Sequence, residues 1–277
     1  MIRTVEQQAS AFAGNRAIGK VALTVHARGG ISRRARVHEH GSLRVRCPGA
    51  PGAELEAVLI NTAGGIAGGD RFSVDINAGA GAHIIVTTAA AEKVYRSLAP
   101  AAEIDVRLTV GDGAALAWLP QETILFDRAK LRRTVEIDLA ADARLLLAEA
   151  IVFGRSGMGE TVGECELSDR WRLRRGGRLV HGEALRLDGA AAAKLRRAAV
   201  ANGGIAVATV LLAPGDETAT RAVRALEGQF RGEVGVSAWK GLAIARFCAV
   251  DGAALRHDLL LVLAVLRTAQ LPRLWLK

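Results

Sequence analysis

The sequence predicts a mainly β protein, a β-helix-like or stacked β-sheet scaffold with a few C-terminal helices, and three observations carry that prediction. An alternating apolar and polar pattern appears at residues 71–77, 103–109 and 133–139, about thirty residues apart each time. Each copy runs into small-residue turns at 78–82, 111–114 and 140–143. Helical spacing is confined to the last third of the chain.

After each turn comes a second apolar strand, at 83–88, 116–120 and 144–150, which gives a hairpin-like unit repeated three times. A single unit cannot bury its own apolar face, so successive units are expected to stack. Residues 171–183 form one more hairpin, with outward arginines alternating with inward apolar residues around Gly176-Gly177. Residues 205–212 are strand-like, and 189–201 fits either helix or loop. Apolar residues at helical intervals predict helices over 216–230, with Asp216 as N-cap and Gly228 near the end, and over 253–269. No linker divides the chain, so we expect a single domain over 1–277, with repeated units over about 20–187 and a mixed strand and helix part over about 188–277.

Between two of the strands lies Asn61-Thr62-Ala63-Gly64-Gly65-Ile66-Ala67-Gly68-Gly69-Asp70-Arg71. Paired glycines at that place specify turns that side chains would block. Neither the Walker spacing nor the dinucleotide-binding spacing is present, and Asp70 would repel a phosphate, so the loop reads as a shaped turn.

The chain has 277 residues, 50% of them apolar, enough for a substantial core. Its net charge of +9 comes from 31 arginines against 6 lysines. The arginines cluster at Arg33-Arg34-x-Arg36, Arg132-Arg133, Arg170-x-Arg172-x-Arg174-Arg175 and Arg196-Arg197, a pattern suited to docking on acidic surfaces. With aromatics at 4%, stacking on single-stranded nucleic acid is disfavoured. Three cysteines without Cys-x-x-Cys spacing indicate neither a disulfide framework nor a zinc knuckle. The first residues lack a signal-peptide run, and the longest apolar run, Leu259 to Leu266, is too short for a bilayer, so a cytoplasmic protein is expected.

His38 and His40 are the best-spaced metal-ligand pair, because alternate residues of a strand face the same side. The same spacing also fits a partly exposed strand end. No nucleophile elbow is present, since Gly154-Arg155-Ser156-Gly157 lacks its spacing. Asp70, Glu122, Glu149, Glu160 and Glu183 could line a polar interior, or could pair with arginines such as Arg71, Arg155 and Arg186. Two broader readings stay open from the residues alone. A basic β scaffold that binds nucleic acid predicts retention on DNA or RNA, and a hydrolase with an unrecognised carboxylate site predicts turnover.

Several segments together resemble the UreD family of urease accessory proteins, called UreH in some organisms. They are His40-Gly41-Ser42-Leu43-Arg44-Val45, Asn61 to Asp70, Thr87-Thr88 leading to Lys93-Val94-Tyr95-Arg96-Ser97, Leu119-Pro120-Gln121-Glu122-Thr123-Ile124, Gly154-Arg155-Ser156-Gly157-Met158-Gly159-Glu160, and Leu274-Trp275. The family usually has Gly-Pro-Leu where this chain has Gly41-Ser42-Leu43. The resemblance implies a non-enzymatic maturation factor that docks on apo-urease with UreF and the GTPase UreG, as a hetero-oligomer or a dimer of that complex. It implies help in delivering nickel through an internal route, with no permanently bound cofactor and no membrane or nucleic-acid partner. On that reading Asp70, Glu149 and Glu183, with His38 and His40, are the candidate residues of the nickel route. Asn61, Gly64, Gly65, Gly68, Gly69, Tyr95, Gly154, Arg155 and Glu160 would shape the scaffold.

Overall fold

Strand β5 (Arg71–Ala78) and strand β6 (His83–Thr88) do not pair with each other, although only a short turn separates them. The turn carries the chain from one sheet to another, so each unit is an arch between two layers rather than a hairpin. Strand β5 lies parallel to β8 (Ala102–Val110), β8 to β11 (Lys130–Leu139), and β11 to β13 (Cys165–Arg175), building a first sheet. The second strands stack in the same way. Strand β4 (Glu54–Asn61) lies parallel to β6, β6 to β9 (Ala115–Trp118), and β9 to β12 (Arg144–Phe153). Pairing therefore joins residues about thirty apart, and the repeat visible in the sequence is the coil of a β-helix. The computed structural model describes residues 16–98 and 100–276.

The arches themselves are in register. The amides of Gly79, Gly111, Ala140 and Gly176 donate to the carbonyls of Val25, Ala78, Val110 and Leu139, at 2.8–2.9 Å, so the turns stack as strands do. A third, narrower side closes each coil. Strand β10 (Thr123–Leu125) pairs in parallel with β7 (Glu92–Val94) and with β12, and Ile66 bridges to Val94.

Antiparallel pairs follow the parallel stack at both ends of the coil. At one end β1 (Ile18–Arg28) lies parallel to β5 and antiparallel to β2 (Ile31–Gly41), while β3 (Leu43–Arg46) lies antiparallel to β4. Ser42 stands at the turn between β2 and β3, and its N–H donates to Ile18 O at 3.0 Å, a bond proline could not make. At the other end β13 turns at Gly176 (φ 54°) and Gly177 (φ 77°) into β14 (Arg178–Gly189), as the sequence indicated. The second sheet continues through β15 (Ala206–Ala213), β17 (Leu242–Ala249) and β16 (Glu233–Trp239).

Three α-helices occur among the described residues: α1 (Ala191–Leu195), α2 (Glu217–Arg224) and α3 (Gly252–Leu266). Asp216 caps α2 through the Ala219 amide, as expected, but the helix stops four residues before Gly228. The backbone beyond it tightens into a short 3₁₀ turn at Glu227–Gln229. Asp251 caps α3 in the same manner as Asp216. No helix among the described residues is long and apolar enough to cross a membrane.

Two apolar cores follow from this plan. The first lies between the sheets, where inward residues of successive coils form columns: Val21, Val74, Val106, Val135 and Trp171 in one, and Leu23, Ile76, Leu108, Ile137 and Leu173 in the next. The second lies on the far side of the second sheet, where Ala148, Ala150, Ala208, Phe247 and others meet Leu255, Leu259 and Val262 of α3. Strand β12 belongs to both cores and is buried from Leu145 onward, which is why Leu145-Leu-Leu-Ala-Glu-Ala-Ile-Val-Phe153 is almost wholly apolar.

Candidate functional site

Glu149 is the exception in that run. It points between the sheets and is 5% exposed. Its partner, Arg133, comes from β11, where alternation places Leu131, Arg133, Val135, Ile137 and Leu139 inward. The column through Arg133 is Gly19, Phe72, Ile104, Arg133 and Asp169, so its apolar character gives way to charge in the last two coils. Arg133 donates from Nη1 to Glu149 Oε2 at 2.5 Å, and from Nε and Nη2 to the two oxygens of Asp169 at 3.0 and 2.5 Å. Trp118 Nε1 donates to Glu149 Oε1 (2.8 Å), and Trp171 Nε1 to Asp169 Oδ1 (3.2 Å).

Two carboxylates thus share one guanidinium in a region almost closed to water. For Arg133, burial alone would lower the pKa, and the charges of Asp169 and Glu149 more than reverse that, so the arginine stays charged. Burial pushes the Glu149 carboxyl up, and the Asp169 charge adds to it against the pull of Arg133. With both acids ionised, the cluster carries one uncompensated negative charge, which a proton or a cation would relieve.

Asp169 also borders a cleft of about 450 Å³ where the two sheets part beyond the last coil. Its other walls include Trp171, Glu183, Glu233, Arg246 and Cys248. Glu183, on the inner face of β14, accepts from Arg246 Nη2 at 2.5 Å, and His181 Nε2 lies 3.6 Å from it. The imidazole and Arg246 hold its carboxyl below the usual range. His181 also packs against Trp239, with centroids 5.9 Å apart, so two contacts tie β14 to the opposite sheet across the cleft. Glu149 and Glu183 therefore lie at the inner and outer parts of one polar line, with Arg133 and Asp169 between them.

Asp70 lies apart from that line. Its carboxylate accepts from the Ala17 and Ala67 amides, at 2.8 and 2.7 Å, and it is 3% exposed. The arginine pairings suggested by sequence proximity hold only for Glu160. Arg71 goes to Glu103 and Arg186 to Asp188, while Glu183 takes Arg246, 63 residues away. Arg133, read as part of a docking cluster, is buried. His38 and His40 stand exposed on the outer face of edge strand β2, opposite Ala22 and Lys20. Between them Glu39 turns to the other side, where it accepts from the Val45 amide and Arg46. Among the described residues, no three His, Cys, Asp or Glu side chains gather as a metal-ligand set.

The scaffold motifs converge on the third side of the coil. Asn61 donates to Gly65 O and Glu92 Oε2, both at 3.1 Å, and accepts from the Ala63 amide. Tyr95 covers the glycine loop, donating to Gly64 O at 2.8 Å; a Cβ on Gly65 would lie 2.4 Å from its ring. One coil further on, Phe126 meets Tyr95 edge to face at 5.2 Å, and Arg155 lies over the Phe126 ring at 4.1 Å. Arg155 Nε in turn donates to Glu160 at 2.8 Å. Gly154 (φ 90°) and Gly69 (φ 87°) hold left-handed backbone, and Gly68 packs against Ser97. A motif scattered over 100 residues is one ladder in space.

Comparison with known families decides what this architecture belongs to. Residues 17–276 match the family described as UreD urease accessory protein. The chain belongs to the UreD family. It is 56% identical over 276 residues to the urease accessory protein UreD of Rhodopseudomonas palustris strain BisA53, covering 99% of this chain and 96% of that one. It is also 57% identical over 268 residues to the UreD of Bradyrhizobium diazoefficiens, covering 96% of each. Membership makes the chain an accessory protein in urease maturation and not a catalytic enzyme. Sequence reasoning missed Arg133 and Asp169 as site residues, yet strict alternation in β11 and β13 does place both inward.

Proposed function

We propose that the chain docks on apo-urease together with UreF and the GTPase UreG and helps convey nickel, as cargo, to the dinuclear site. It does so in the cytoplasm, as part of a hetero-oligomer. The observation that supports this reading is the line of acidic groups from buried Glu149 through Asp169 to Glu183 at the cleft. Oxygen ligands suit a transferred ion because they exchange readily, and separated carboxylates hold it less firmly than a closed cage. Arg133 sits between the acids, so an entering divalent cation must displace its guanidinium or travel past it. Glu183 would act as the outer acceptor, whereas Asp70 acts by tying the glycine loop to the first strand.

The test is the nickel content and activity of urease purified from cells with and without this gene, the other urease genes held constant. Nickel-poor, inactive urease restored by complementation supports the proposal, and fully loaded urease without the gene overturns it. The route itself is tested by Glu149→Gln, Asp169→Asn and Glu183→Gln. If all three variants, soluble and folded, activate urease as the parent does, the nickel does not follow these residues.

A further inference from the structure

We propose that the outer face of the first sheet carries a binding site for a small tetrahedral oxyanion, a phosphate or a phosphoryl ester, centred on Arg170 and Ser168. On β5, β8, β11 and β13 the outward arginines meet carboxylates: Arg71 and Arg132 share Glu103, Arg107 meets Asp75, and Arg172 and Arg174 share Glu136. Arg170 alone among them makes no ion pair among the described residues, because its neighbours in register are Thr134 and Ala184. Two residues earlier, Ser168 is flanked in register by Arg132 and Arg186.

The small side chain of Ser168 leaves a depression between these arginines, a groove of about 700 Å³. Its lining holds three guanidinium groups, of Arg132, Arg170 and Arg186, and two carboxylates, of Glu166 and Asp188. Both carboxylates are met by lysines: Lys130 reaches Glu166 at 2.8 Å and Lys194 reaches Asp188 at 3.0 Å. Arg186 also reaches Asp188 at 3.0 Å and Arg132 reaches Glu103, so Arg170 is the guanidinium of this groove that has no carboxylate partner among the described residues. A planar guanidinium fork and a hydroxyl donor suit the oxygens of a phosphate. No aromatic side chain lines the groove, so the site recognises the anion and not a base.

Calorimetric titration of the full chain tests this, with inorganic phosphate in one arm and glycerol 3-phosphate in the other, at constant ionic strength set by chloride. Saturable binding is expected, weakened by about tenfold or more in Arg170→Gln, the loss of one charge-assisted contact. Binding should be unchanged in Arg107→Gln, whose arginine is exposed but paired. A preference for either arm supports the site and tells whether the free or the esterified form fits. Heats no larger than those of chloride alone, or equal affinity in Arg170→Gln, would overturn it. The outcome is independent of the nickel reading, which rests on the opposite face of the same strands.

Discussion

Gly64 and Gly68 show how two glycines of one loop can have different reasons to be glycine. Gly64 has φ of 77° with open space where a Cβ would go, so Gly64→Ala should cost only the left-handed backbone penalty, about 1–2 kcal/mol. A Cβ at Gly68 would lie 1.7 Å from Ser97 Oγ and 2.8 Å from Pro100 O, so Gly68→Ala must move backbone and should cost more. Thermal unfolding of the two variants checks the order; equal losses would mean that the loop yields freely. The buried cluster makes a second prediction. Arg133→Ala strands two carboxylates and should destabilise by roughly 3–5 kcal/mol in urea. Glu149 adds a pH dependence with a definite sign. Its pKa is raised above 4.5 in the fold, so the folded chain keeps a proton that the unfolded chain has released. Stability therefore falls as pH rises from about 4.5 through the raised value, and Glu149→Gln should remove that slope. Urea unfolding of both proteins across this range measures it, and parallel curves would count against the assignment.

At the scale of elements, the C-terminal turn depends on one arginine of α3. Arg256 donates to Gln121, Glu122 and the carbonyls of Leu274 and Trp275, and stacks on the Trp275 ring at 5.0 Å. Trp275 is buried and donates to Leu119 O at 2.9 Å. Arg256→Ala should release this turn first, by about 1–3 kcal/mol, since charged hydrogen bonds to partly buried acceptors are lost together. Limited proteolysis should then cut near residue 270 while the coil stays intact; simultaneous loss of both would show that they unfold as one. The strands were legible as strands, but not their partners. Alternation at 71–77 and 83–88 is the same for a hairpin and for an arch, and only the pairing thirty residues away separates the two.

For the whole molecule, the second sheet is shared by both cores, so neither should melt alone. Leu108 lies fully buried between the sheets and Leu259 fully buried under α3. Each mutation to alanine should cost about 2–5 kcal/mol. Both should keep a single unfolding transition, followed by fluorescence of the tryptophans that sit in both cores; a second transition in either variant would divide the molecule at β12. The same shared layer explains why β12 is the most apolar strand and why one glutamate within it had to find a buried arginine.

The sequence by itself determined the class of fold, the coil length, the terminal hairpin, the helix cap at Asp216 and the family, because these follow from local periodicity, turn chemistry and motif order. It also raised Asp70, Glu122, Glu149, Glu160 and Glu183 as carboxylates that could line a polar interior. Only the tertiary structure decided that Arg133 and Asp169 join Glu149, that Glu183 pairs with Arg246, and that Tyr95, Phe126 and Arg155 form one ladder. The reason is geometric. A parallel coil brings together residues that share a column, and which column meets which across the sheets depends on how the arches turn, a relation that no short stretch of chain contains.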